Sequence, residues 1–129
     1  MADQHPVEII MARGMMANLA SPAFLVDPTG RLIFFNEPAG VLLGITFEEA
    51  GPLEADEWGT MFEPLDLDGT PLPVDQLPLM RAIAQGRPGY RRMAIKSLKG
   101  EQGTIEVCAF PVVGRTGQHG AMAIFWPED

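Results

Sequence analysis

The sequence predicts an α+β domain: one five-stranded antiparallel sheet with short helices packed on one of its faces. Three observations lead there. Two apolar runs near the start are separated by a tight turn. Three longer strand-like runs fill the last third. Between the two groups lie short helical segments, each bounded by capping residues, Gly or Pro.

Length and composition set the outer bounds. The 129 residues suffice for one domain with a single core, and 47% of them are hydrophobic against 20% charged, which marks a folded chain. The net charge of −8 argues against nucleic acid and anionic membrane as direct partners. One cysteine allows no internal disulfide or zinc cluster and suits the cytoplasm. No stretch has the length of a membrane span, and the N-terminus lacks the basic-then-apolar pattern of a signal peptide.

The chain is organised around residues 21–44, SPAFLVDPTGRLIFFNEPAGVLLG. Ala23-Phe24-Leu25-Val26 is a first strand. Asp27-Pro28-Thr29-Gly30 is turn chemistry, with an Asx side chain, a Pro corner and a closing Gly. Arg31 to Phe35 is a second strand. Neither strand alternates apolar with polar residues, so the sheet is covered on both faces. Asn36 stands where a helix N-cap belongs, with Glu37 and Pro38 in the first turn and Gly44 as the stop.

Ahead of this stretch, residues 1–6 read as a loose tail and 7–19 as a helix. Val7, Ile10, Met11, Gly14, Met15, Asn18 and Leu19 follow i, i+3, i+4 spacing and form one apolar stripe. A helix this short needs a surface to lie on. It either covers its own sheet or shares its stripe with a second copy of the chain. Residues 1–20 are therefore a capping or dimerising segment, and 21–129 the core domain.

Beyond Gly44, Thr46 caps a single helical turn that ends at Gly51-Pro52, and a further short turn is expected over 57–62. The loop Asp66-Leu67-Asp68-Gly69-Thr70 superficially resembles a calcium loop. Counted from Asp66, the sixth position is Pro71 where Gly is needed, and the twelfth is Leu77 where a bidentate Glu is needed. It reads as a solvated turn. Residues 74–85 read as one helix, with Asp75 as N-cap, Pro78 in its first turn and Gly86 as its end. Its buried face is Leu79, Met80, Ile83 and Ala84. Three strands follow over 90–98, 104–113 and 121–126, with hairpin turns at 99–103 and 114–120. The glycine spacing of the second turn, Gly114, Gly117 and Gly120, superficially suggests a phosphate loop, but no helix follows to hold phosphate.

Taken together, these residues resemble a PAS domain. The resemblance is carried by Asp27-Pro28-Thr29-Gly30 between two strands, Asn36-Glu37-Pro38-Ala39 opening a helix, and Leu43-Gly44 closing it. Asp68-Gly69, the helix containing Pro78-Leu79 and Arg81-Ala82 and ending at Gly86, and Ala109-Phe110-Pro111 in the fourth strand complete it. It covers about residues 21–126. It implies strand order 2-1-5-4-3, a sheet cupped around short helices, and an N-terminal amphipathic helix on the opposite face. It also implies a sensory or dimerising role, with output passed to a kinase, phosphatase, cyclase or transcription regulator, and seldom an enzymatic one.

Strand parity then sorts the side chains. With Pro111 facing the cup, as the resemblance implies, Ile105, Val107 and Ala109 face inward, as do Met93, Ile95, Ala121, Ala123 and Phe125. The expected cup lining is Phe24, Val26, Met61, Phe62, Leu79, Ile83, Met93, Ile95, Ile105, Val107 and Phe125. It is either plain core or the wall of a small apolar ligand pocket. Ala94, Cys108, Phe110, Met122, Ile124 and Trp126 face outward and would form a large apolar patch if bare. A homodimer is expected through Val7, Ile10, Met11, Gly14 and Met15 of the helix with Phe110, Met122, Ile124 and Trp126 of the sheet.

Flavin and haem are disfavoured as cofactors. In flavin-binding relatives side-chain amides hold the ring, and here the matching positions are Ile95, Ile105 and Phe125. The light-sensing branch also uses a reactive Cys on the helical side, whereas Cys108 lies on a strand with outward parity and nothing basic beside it. Haem-binding relatives use a histidine on the long helix, and residues 74–85 contain none. His5 falls in the tail and His119 in a hairpin tip, both expected to be solvated. No metal site or catalytic group is expected, because the inward positions offer no His, Asp or Glu for acid–base work. Many relatives end the last strand in Asp-x-Thr. Here Pro127 stands near the expected Asp, so the route to an effector protein or domain is not legible. The rival readings are a ligand-free dimerisation module and a small enzyme on a cone-shaped scaffold.

Overall fold

The computed structural model describes residues 7–96, 100, 102–114 and 117–127. The expected tail 1–6 with His5, turn residues Lys99 and Glu101, tip residues Arg115 and Thr116, the strand end Ser97-Leu98 and the terminal Glu128-Asp129 lie outside the described residues.

Five antiparallel strands form one sheet in the order β2-β1-β5-β4-β3. They are β1 (Ala23–Val26), β2 (Leu32–Phe35), β3 (Gly89–Lys96), β4 (Gln102–Gly114) and β5 (Gly117–Pro127). The first hairpin closes as its residues dictate. The Asp27 carboxylate accepts from the Thr29 N–H (2.9 Å), the Thr29 hydroxyl and the Arg31 N–H (3.1 Å), and Gly30 takes φ +90°.

The helices are α1 (Val7–Met16), α2 (Glu37–Leu43), α3 (Phe47–Ala50), α4 (Ala55–Met61) and α5 (Pro78–Gln85). Helices α2 to α5 lie over the concave face and α1 over the convex one, so the apolar strands are buried on both sides. Two core layers result. The inner one contains Phe24, Val26, Leu32, Phe35, Trp58, Phe62, Leu79, Met93, Ile105, Val107 and Phe125. The outer one contains Ile9, Ala12, Met16, Leu25, Ile33 and Met122. The alternation expected for β4 and β5 holds: Ile105, Val107, Ala109, Ala121, Ala123 and Phe125 face in, and Phe110, Met122 and Ile124 face out.

One open reading is decided and two expectations need correction. Of the helix stripe, Val7, Ile10, Met11 and Met15 do not face the sheet, being 59–68% exposed, while Leu19 packs against the outer layer. Helix α1 docks through Ile9, Ala12 and Met16, which also follow helical spacing. The helix is apolar on two sides, and the sequence stripe named the bare one.

The helix expected over 74–85 is broken. Val74–Gln76 forms a 3₁₀ turn, Leu77 is extended at ψ 142°, and α5 begins at Pro78. The ring of Pro78 crowds the backbone of the residue before it and drives Leu77 out of the helical region. Asp75 is therefore not the cap of α5.

The second hairpin is much tighter than 114–120. Gly114 pairs with Gly117, and the strands shift register between Val112 and Val113. A β-bulge absorbs the extra residue there. His119 thus lies in β5, only 15% exposed at its side chain, with Nε2 3.5 Å from Oε1 of Glu8 on α1.

Candidate functional site

The concave face of the sheet and helices α2, α4 and α5 enclose a cavity of about 70 Å³. Phe24 of β1 sits at its centre of packing, with ring centroids 5.2 Å from Phe125, 5.8 Å from Phe35, 6.1 Å from Trp58 and 6.4 Å from Phe62. All four pairs meet edge to face or tilted, and none is a face-to-face sandwich, which aromatic quadrupoles disfavour. Trp58 is placed by its polar tip: Nε1–H donates to the Gly30 carbonyl at 2.8 Å. One bond thus ties the cavity wall to the β1–β2 turn.

Of the residues expected to line the cup, Phe24, Phe62, Leu79, Met93, Ile95, Ile105, Val107 and Phe125 border the cavity. Val26, Met61 and Ile83 do not. Val26 is wholly buried in the core at the end of β1, and Met61 and Ile83 pack against the core from its rim. The wall also uses Leu43, Trp58, Pro64, Leu77, Pro78 and Ala123. Parity had placed Ala123 inward, whereas Pro64 and Leu77 sit in loops whose direction no periodicity encodes. No lining side chain is ionisable, and the one polar side-chain atom among them is the Trp58 Nε1, already bonded to Gly30.

The convex face is held by a junction at Asn36. This side chain is 2% exposed and makes four hydrogen bonds. Its Oδ1 accepts from the Ala23 N–H (3.0 Å) and the Ala39 N–H (3.1 Å). Its Nδ2 donates to the carbonyls of Met16 (3.0 Å) and Ser21 (2.9 Å). The expected N-cap of α2 is thus also the clasp on the last turn of α1. A second clasp is the Arg13 guanidinium, 4.5 Å from the Phe34 ring centroid and 5.9 Å from that of Phe47.

The expected dimer residues divide. Val7, Ile10, Met11 and Met15 are bare, and Gly14 beside them has open space around it. Trp126 is 43% exposed. Met122 is 2% exposed beneath α1, so the chain's own helix takes it away from any partner. Phe110 and Ile124 are half-buried against the same layer. Cys108 is a free, half-buried thiol whose strand neighbours are Tyr90 and Ile124.

The 66–70 loop satisfies its own carboxylates. Asp68 accepts from the Thr70 hydroxyl and N–H, and these bonds lower its pKa. Asp66 accepts from the Leu67 N–H and pairs with Arg91 at 3.0 Å. Among the described residues, no three His, Cys, Asp or Glu side chains converge as a metal site requires. No helix among them is long and apolar enough to cross a membrane.

This geometry defines a class: a five-stranded antiparallel cup of order 2-1-5-4-3, helices in its hollow and a helix across its back. The chain has the PAS fold. No family model and no curated protein matches the sequence. Among solved structures it is similar to a PAS domain from Colwellia psychrerythraea, at 18% identity and TM-score 0.66, covering 93% of this chain and 97% of that one. A LOV protein from Rhodobacter sphaeroides superposes at TM-score 0.73 and 14% identity, covering 96% of this chain and 69% of that one. The PAS domain of nitrogen regulation protein NR(II) from Vibrio parahaemolyticus gives TM-score 0.62 at 11% identity, covering 92% and 98%.

Proposed function

We propose that the chain is a sensory signal-transduction domain without catalytic activity of its own. It dimerises through the outer face of α1, admits a small apolar guest to the cavity, and relays the change to an effector protein or domain. The observation that carries the reading is the wall of the cavity, apolar throughout and built on the hollow of a PAS fold. The solved structures of like fold support the sensory role, since one is a PAS domain from a two-component sensor histidine kinase.

The residues present do not fit flavin or haem. An isoalloxazine ring brings donors and acceptors that this wall would leave unpaired, at a cost of a few kcal/mol. Helix α5 has no histidine to hold iron. The wall also offers no acid–base pair, which disfavours an enzyme.

The size of the cavity favours a second reading. At about 70 Å³ it is roughly half the apolar cavity of about 150 Å³ known to take benzene or xenon. A ligand-free dimerisation module would have a core of this kind. The two readings separate by fluorescence. Trp58 lines the cavity, and Trp126, the other tryptophan, lies outside it. In a Trp126→Phe variant, saturable change in Trp58 emission on titration with xenon or short alkanols supports a sensory cavity. Unchanged emission supports the module.

A further inference from the structure

The charge of this chain is segregated. Six of its nine Lys and Arg residues lie in 76–100, which contains no Asp or Glu; the rest of the chain holds all 17 acidic residues and three basic ones. Three of the six, Arg81, Arg87 and Arg91, line one open groove of about 470 Å³ between α5 and β3. Arg81 and Gln85, one turn apart on α5, form one wall, and Arg87, Tyr90 and Arg91 form the other. Arg81 and Arg87 are exposed. Among the described residues neither pairs with a carboxylate, and Arg87 has the Gln85 amide oxygen at 3.2 Å. Arg91 gives Nη2 to Asp66, while its buried Nε has no hydrogen-bond partner.

Like charges repel, and of the three groove arginines only Arg91 has a carboxylate beside it among the described residues, that of Asp66. We infer that the groove docks a short acidic segment of a partner protein. Arginine forks pair with carboxylates in two-bond geometry, and Gln85 adds an amide to the same wall. The occupant is short because the surrounding chain is strongly negative. A long polyanion or an anionic membrane meets that repulsion beyond the groove, whereas screening over about 8 Å hides it from a segment lying within. Pro78 lines both the groove and the cavity, so α5 is a wall common to the two. Docking does not depend on a guest in the cavity.

Anisotropy of a short fluorescein-labelled Glu-Ser repeat peptide, titrated with the full chain at low salt, tests this. Binding should weaken at least about tenfold in Arg81→Glu/Arg87→Glu, and about tenfold or more between 50 and 200 mM salt. An off-groove variant of equal charge, Arg31→Glu/Lys96→Glu, two exposed surface ion-pair positions, should change affinity less than about twofold. Circular dichroism establishes that each variant is folded. Equal losses in the two variants, no binding by the wild type, or tighter binding of a single-stranded oligonucleotide of matched charge would each overturn the inference.

Discussion

The Nδ2 of Asn36 donates to the carbonyl of Met16 across twenty residues of sequence, at 3.0 Å and out of reach of water. This bond fastens the end of α1 to the start of α2. The same side chain satisfies the first amide of β1, so helix, strand and cap are positioned by one residue. Asn36→Asp keeps the acceptor but loses both donors, which takes this partner from the Ser21 carbonyl and leaves the Met16 carbonyl only the Leu19 N–H. It should destabilise the domain by about 3 kcal/mol. Hydrogen exchange should rise in the last turn of α1 and change little in α5. Uniform loss of protection would show instead that Asn36 acts on the whole domain alike.

The outer face of α1 should matter for assembly and not for folding. Ile10 and Met15 touch no core layer, whereas Ile9 and Met16 are buried in one. Ile10→Lys/Met15→Lys should convert dimer to monomer in sedimentation velocity, with stability changed by no more than about 0.5 kcal/mol per site. Ile9→Ala should cost about 2–5 kcal/mol. A wild type that sediments as monomer at micromolar concentration contradicts the dimer.

Gly120 of β5 lies against the end of β1. A Cβ there would collide with the Val26 carbonyl oxygen, and φ is +149°. Gly120→Ala should cost more than about 2 kcal/mol and expose β1 amides to exchange. An alanine variant that melts within a degree or two of the wild type would show that the bulge can shift freely.

How much of this was legible in the sequence depends on the kind of signal. The caps Asn36 and Thr46 and the Asp27 turn read correctly, because they and the glycines that follow them act within a few residues; the Asp75 cap and the 114–120 turn did not. Parity along β4 and β5 sorted the inner from the outer face for the same reason. The α1 stripe left its partner open, since spacing cannot say which of two apolar sides meets the sheet. The break before α5 was legible in principle: Leu77-Pro78 carries the restriction that proline places on its predecessor. The cavity residues Pro64 and Leu77 were not legible, because tertiary packing alone aims those loops. Asn36 read as a cap; its second role, toward Met16, rests on a contact no local pattern records.

Thr46 and Glu49 close a capping box, in which the carboxylate accepts from both the Thr46 N–H (3.2 Å) and the Thr46 hydroxyl (3.0 Å). The backbone bond first, then the hydroxyl, lowers the Glu49 pKa below its ordinary value of 4.5. A lowered folded-state pKa contributes stability that is present above the unfolded value and lost as pH falls through the folded one. Thr46→Ala should therefore move the Glu49 pKa upward, read by carboxyl NMR titration, and shrink the acid-side loss of stability. A Glu49 pKa unmoved in Thr46→Ala would show that the backbone bond alone sets it.

Ala123 borders the cavity from β5 and is 2% exposed. Ala123→Val adds two methyl groups toward the empty space. With room for them, the change should stay within about 1 kcal/mol of the wild type. It should also abolish the response of Trp58 to small apolar guests. A large destabilisation would mean that the cavity cannot take even these two groups.

The most direct test of a sensory cavity on a dimerising fold is the mass of the purified chain under native and denaturing conditions. The expected result is a native dimer that carries added mass from a small apolar molecule, lost on denaturation. A native monomer with no added mass would contradict it.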